Sequence, residues 1–196
     1  VVPLFYSSFM VLQDELQKHA VNDGTAANVV LLTNTHIFCA NAGDSRSILI
    51  RNGEAYPLSI DHKPEDPVER KRIELAEGFV SESKRVNGVL ALSRAIGDCD
   101  LRPAITCEPD VSVTQITPED SFLIMACDGL WDMVTSDDVA DLVRGVETAE
   151  EIVVKLRDIA YVLGSTDNIS VVAVAIGHKQ QSQIVNQYKN FTFKKK

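Results

Sequence analysis

Two aspartates occupy positions from which carboxylates can act together. Asp128 directly follows an apolar run, residues 121–127 (SFLIMAC), and Asp167 lies just before another, residues 169–176 (ISVVAVAI). Each run reads as a strand buried on both faces. If the strands are antiparallel neighbours, the end of the first and the start of the second share one sheet edge, and both carboxylates converge there. Two such charges about 4 Å apart repel by roughly 1 kcal/mol in water, and by several times that where solvent is partly excluded. A hard divalent cation removes the repulsion, and an all-oxygen donor set without His or Cys favours Mg²⁺ or Mn²⁺ over zinc or copper. Asp132, four residues after Asp128 in DGLWD, is a third candidate oxygen donor. The same Asp-Gly and Asp-Asn pairs also suit turns that hold no metal.

Rival chemistry is sparse. His19, His36, His62 and His178 are scattered, and no Gly-rich phosphate loop follows a strand. A Ser–His–Asp arrangement stays open, although no G-x-S-x-G motif supports it. Cys39, Cys99, Cys107 and Cys127 are widely spaced with no C-x-x-C pair, so neither a zinc knuckle nor a redox motif is supported. Three of them sit in or beside apolar runs, as buried reduced thiols do, which favours a reducing compartment. A formal net charge of -9 over 196 residues argues against a nucleic-acid or anionic-membrane surface. No apolar stretch nears the roughly 18 residues of a membrane span, and no signal peptide is visible. The expectation is a soluble protein of the cytoplasm or nucleus.

The elements that must position the aspartates follow from periodicity. Residues 4–19 place Leu4, Phe5, Phe9, Leu12 and Leu16 near helical spacing, ended by Asn22-Asp23-Gly24. Residues 25–32 and 36–42 read as a hairpin, followed by a strand over 47–50 and an Asn52-Gly53 turn. After a proline-bearing loop, Asp61 to Pro67, a helix is predicted over 68–76 and stopped by Gly78. Residues 79–110 alternate short strands with polar turns. Helices are predicted over 135–143, with Ser136 as its N-cap, and over 149–163, with Ile152, Leu156 and Ala160 on one face. Residues 1–178 then form one domain, and 179–196 a tail that trails over the surface or is disordered. The chain opens at Val1, with no Met, inside the first helix, so it reads as a piece of something longer.

Nine segments, taken in order, resemble the PP2C family of metal-dependent serine/threonine protein phosphatases. They are Gly24-Thr25-Ala26, residues 40–46 (ANAGDSR), residues 58–64 (LSIDHKP), Glu69 with Arg72-Ile73, and residues 85–88 (RVNG). The order continues with residues 90–98 (LALSRAIGD), 108–111 (EPDV), 126–132 (ACDGLWD) and 164–169 (GSTDNI). The resemblance implies an α+β fold: a central β-sandwich of two antiparallel sheets flanked by helices, here without its N-terminal strands. It implies a two-metal centre for Mg²⁺ or Mn²⁺, with Asp128 and Asp167 as ligands and Asp132 tied to a more weakly held third metal. It also implies phosphoprotein substrates and hydrolysis by a metal-activated water.

Departures accompany the resemblance. The family's metal-bridging Asp and phosphate-binding Arg belong upstream of Val1, so the catalytic residues are not assigned and the isolated chain is expected to be nearly inactive. The Asp of the third-metal set falls near Ala20, and Glu77 stands where the family usually has a glycine. A pseudophosphatase acting as a binding module is the alternative. Asp44 and Asp98 are expected to shape loops, His62 to be structural or at the surface, and Trp131 to anchor the core. Uncovered sheet edges are expected to promote self-association.

Overall fold

The computed structural model describes residues 1–19 and 22–177. Helix α1 (Val2–Lys18) precedes a short β1 (Gly24–Thr25), the hairpin β2 (Ala27–Leu32) and β3 (His36–Ala42), then β4 (Arg46–Arg51) and β5 (Glu54–Pro57). Helix α2 (Pro67–Leu75), β6 (Ile96–Gly97), β7 (Asp110–Gln115) and β8 (Asp120–Ala126) follow. The chain continues through α3 (Asp128–Trp131), α4 (Ser136–Leu142), α5 (Ala149–Val162) and β9 (Val171–Ala175). All pairings between these strands are antiparallel. One sheet runs β2-β3-β7, a second runs β5-β4-β8-β9, and β1 pairs with β6.

Side-chain alternation stacks these sheets. On β8, Phe122 and Ile124 face Leu130, Val139, Ile152 and Leu156 of the helices, while Leu123 faces Ile37 and Cys39 of the other sheet. On β4, Ile48 and Ile50 join the helical side and Leu49 the sandwich interior. Beyond the first sheet, Ala40 and Ala42 of β3 meet Phe9 of α1. The result is the expected sandwich with helices on both outer faces. Strand β8 is central and covered on both sides, so its run had no polar alternation to show; each fully buried Leu or Ile contributes about 1.5–3 kcal/mol. All four cysteines are free, with Cys39 and Cys107 buried and Cys99 and Cys127 half-buried.

Local chemistry sets the element ends. Asn52 (φ 53°) and Gly53 (φ 78°) make the tight turn between β4 and β5. Asp66 caps α2 by accepting from the amides of Val68 and Glu69, with Pro67 in the first turn. That helix ends in a Schellman motif: the Gly78 amide donates to Ile73 (3.0 Å) and the Glu77 amide to Glu74 (3.1 Å). Glu77 therefore takes the left-handed position, at φ 60°, that glycine usually fills.

Two expectations need correcting. The N-cap of α4 is Thr135 and not Ser136: Thr135 Oγ1 accepts from the Asp138 amide (3.1 Å), and the Asp138 carboxylate accepts from the Thr135 amide (2.9 Å). Ser136 Oγ instead accepts from Arg46 Nη1 (3.1 Å). Residues 79–110 form few strands; isolated bridges, β6, a 3-10 turn and the start of β7 surround a small core of Ile73, Val86, Ala95, Ala104 and Ile105. Side-chain bonds organise it in place of a ladder. The Glu69 carboxylate accepts from Arg94 Nη2 (2.6 Å), Ser93 Oγ (2.7 Å) and Arg72 Nη2 (3.1 Å). The tail expected at 179–196 lies outside the described residues.

Candidate metal centre

The antiparallel register of β8 and β9 sets Ala126 opposite Val171, which leaves Asp128 and Asp167 just beyond the same sheet edge. Backbone and thiol contacts close that edge. The Cys127 amide donates to the Ser170 carbonyl (3.2 Å), and Cys127 Sγ lies 3.0 Å from the Asn168 carbonyl and 3.2 Å from the Ser170 amide. Ser165 Oγ donates to the Gly129 carbonyl (2.8 Å). A β-carbon on Gly129 would stand 2.2 Å from the Asn168 carbonyl oxygen, so only glycine lets α3 approach this closely. The helix that Asp128 opens and Asp132 caps is thus packed on the loop carrying Asp167.

The charges of three other carboxylates act on Asp128. Burial, followed by the charges of Asp44, Asp167 and Asp132, holds the Asp128 carboxyl above its usual range. Asp44 is only 6% exposed and accepts from Lys63 Nζ (2.6 Å), which also lies 4.0 Å from Asp132. Burial pulls the Lys63 pKa down, but Asp44, Asp132 and Asp61 outweigh it and leave the ammonium above its usual value. The side-chain partner of Asp44 is Lys63, not the amides of its own turn, and its charge acts on Asp128, so it belongs to this carboxylate group with Lys63 as counter-ion. Lys63 was not foreseen; its only signal was its place in a rigid loop before Pro64.

A frame around Arg46 fixes the group. Arg46 clasps Asp61 through Nε (2.8 Å) and Nη2 (2.7 Å), reaches Ser136 through Nη1, and lies 4.9 Å over the Trp131 ring. Trp131 Nε1 donates to the Ala126 carbonyl (2.9 Å) and is 3.2 Å from that of Arg46. Trp131 is therefore the expected core anchor, and it ties α3 to β4 and β8. His62 is buried, a structural residue and not a surface one. Its Nδ1 accepts from the Gly43 amide (3.1 Å), which assigns the proton to Nε2, 3.1 Å from Asp110 Oδ2. Asp98 lies apart, left-handed at φ 45° with its carboxylate against Gly24.

The donors fit a hard cation in part. Asp128 and Asp167 offer oxygen alone, which suits Mg²⁺ or Mn²⁺, but two carboxylates fill only part of such a shell. Among the described residues no group of three or more His, Cys, Asp or Glu side chains could hold a metal. Asp44, Asp167 and Asp132 act on Asp128 through charge without forming one coordination shell with it. Asp132 sits toward Lys63, 4.0 Å from its ammonium.

Comparison with known proteins agrees with this architecture. The family profile described as Protein phosphatase 2C matches residues 3–169. A probable protein phosphatase 2C 7 of Oryza sativa subsp. japonica is 43% identical over 162 residues, covering 82% of this chain and 43% of the relative. Protein phosphatase 2C 3 of Arabidopsis thaliana is 54% identical over 123 residues, covering 62% of this chain and 28% of the relative. Among solved structures, a C. elegans sex-determining protein matches with a TM-score of 0.78 at 31% identity, covering 87% of this chain and 45% of that one. A phosphatase of Toxoplasma gondii matches with a TM-score of 0.66 at 38% identity, over 72% and 48% of the two chains. The chain spans about half the length, or less, of these proteins.

Proposed function

The chain belongs to the protein phosphatase 2C family, and from that premise we propose that the protein to which it belongs hydrolyses phosphoserine and phosphothreonine on proteins. Asp128 and Asp167 hold a divalent cation, Mg²⁺ or Mn²⁺, at the edge shared by β8 and β9. A cation bound there supplies charge neutralisation for the phosphoryl oxygens and an acidified water for in-line attack. The chain's own residues prepare that site. Gly129 lets α3 reach the Asn168 carbonyl, and Arg46 and Trp131 lock α3 to the sheet. Lys63 balances the charge of Asp44 and Asp132 and leaves Asp128 and Asp167 as the donors without a cationic partner among the described residues. Asp132 contributes at most a weaker, outer contact.

The single observation that supports this reading most is the seating of Gly129 on Asn168, which joins the two aspartate-bearing segments. The test is release of inorganic phosphate from a phosphothreonine peptide by the protein with its complete domain, at millimolar Mn²⁺ and with EDTA. Turnover that needs Mn²⁺ and falls at least a hundredfold in Asp128→Asn is expected. Peptide binding without phosphate release at any metal concentration would favour a binding module in place of an enzyme.

A further inference from the structure

Three consecutive residues of one loop are fixed to the β3–β4 turn and the start of β4. Asp61 is clasped by Arg46 through Nε (2.8 Å) and Nη2 (2.7 Å). The His62 amide donates to the Gly43 carbonyl (3.0 Å), and its ring Nδ1 accepts from the Gly43 amide (3.1 Å). Lys63 Nζ donates to Asp44 Oδ2 (2.6 Å). Lys63 and Asp44 each follow one member of the His62–Gly43 pair, so their backbones are neighbours before their side chains meet. An exposed ion pair gains little, because it must immobilise two free side chains. Here the loop has already done most of that ordering.

The same ammonium lies 4.0 Å from Asp132 Oδ1. Its two carboxylate neighbours differ in their access to water: the Asp44 side chain is 8% exposed and that of Asp132 60%. A carboxylate as covered as Asp44 needs a cation or hydrogen-bond donors, and Lys63 is its side-chain donor among the described residues. The charge of Asp132 also acts on Arg46, so Asp132 faces two fixed cations. An ammonium is a compact point charge with three donors, and from one position Lys63 serves both carboxylates. A divalent cation between them would need the Asp44 oxygen that Lys63 holds, and would meet the like charge of the ammonium at short range.

We propose that Lys63 is a specificity-determining residue of the candidate metal centre: its ammonium takes the place of a further divalent cation at Asp44 and Asp132. The carboxylates then divide, Asp128 and Asp167 serving a divalent cation and Asp44 and Asp132 serving Lys63. The weakly held third metal expected at Asp132 has a side chain in its place. This division rests on the metal-centre reading above, and its test separates the two.

Counting the Mn²⁺ bound by the full chain at millimolar metal, from the electron paramagnetic resonance signal of the free ion, tests it. Asp132→Asn in the wild-type background should leave the number bound unchanged. Lys63→Met should bind one ion more per chain than the wild type, and that ion should be lost again when Asp44→Asn or Asp132→Asn is added. Lys63→Arg keeps the charge and should bind as the wild type does, which a merely structural role for Lys63 does not predict alongside a gain in Lys63→Met. Lys63→Gln keeps a hydrogen-bond donor for Asp44 without the charge and gives the same reading should Lys63→Met not fold. Loss of an ion in Asp132→Asn alone, or an unchanged count in the uncharged Lys63 variants, would overturn the proposal. No Mn²⁺ on the wild type with a gain in Lys63→Met would overturn the reading of Asp128 and Asp167 and support that of Lys63.

Discussion

The carbonyl oxygen of Asn168 lies where a side chain on Gly129 would have to go, 2.2 Å from the position of a β-carbon, so backbone meets backbone between the segments bearing Asp128 and Asp167. Gly129→Ala should push α3 away from the loop. Overpacking against backbone costs about 1–3 kcal/mol, so the urea midpoint should drop with an unchanged slope. An unaltered midpoint would show that the contact is looser than described.

Glu77 closes the Schellman motif of α2 in a left-handed conformation that costs an L-residue about 1–2 kcal/mol, whereas glycine pays mainly chain entropy. Glu77→Gly should therefore stabilise the protein by about 0.5–1 kcal/mol, seen as a higher urea midpoint. A lower midpoint would mean that the Glu77 side chain makes a compensating contact.

Glu69 is nearly buried, and its carboxyl is held down at about 2. Burial alone would raise it, but hydrogen bonds and charge from Arg94, Ser93 and Arg72 reverse the sign. Asp110 is also held at about 2, chiefly by His62, against burial and with help from Arg94. A carboxyl depressed by folding stabilises the fold above its unfolded value near 4.3 and loses that contribution as pH falls toward 2. Stability should thus decline between about pH 4.5 and 2, and Glu69→Gln should flatten part of that slope while lowering stability at pH 7. A parallel pH profile for the variant would contradict the network.

Arg46→Lys keeps the charge but loses the two-pronged grip on Asp61 and the flat stack on Trp131. A loss of about 1–2 kcal/mol is expected, as for a partly buried bidentate pair. Trp131 is the only tryptophan, so its emission should shift to the red as α3 loosens. Unchanged emission with unchanged stability would remove Arg46 from the frame.

Strands β8 and β9 were legible as strands because a continuous apolar run of seven or eight residues bounded by Asp-Gly or Asp-Asn has few other readings, but only β8 is buried on both faces; β9 lies at the sheet edge with Val172 exposed. Their antiparallel pairing was a condition of the reading and not a consequence of it; the register of β8 and β9 meets that condition and leaves Asp128 and Asp167 beyond the same end of the sheet. The Lys63–Asp44 and Arg46–Asp61 pairs were not legible, because ion pairs between residues 15 to 19 positions apart depend on where loops fold back. Ser136 and Thr135 are adjacent hydroxyl residues with equal claim to cap α4, and Arg46, 90 residues from Ser136, decides between them. Residues 79–110 have no period to read, since buried Glu69 and its arginines hold them. His62 looked at home in a polar loop and is buried by the same network.

Titration calorimetry with Mn²⁺ on the wild-type chain, Asp128→Asn and Asp167→Asn tests the central claim most directly. Asn keeps the size of the side chain and one acceptor oxygen but removes the charge, so the variants isolate the carboxylates' attraction for the cation. Weak binding is expected in the wild type, because two carboxylates leave most of the shell to water, with affinity at least tenfold lower in either variant. Equal Mn²⁺ affinity in all three proteins would contradict a metal centre built on Asp128 and Asp167.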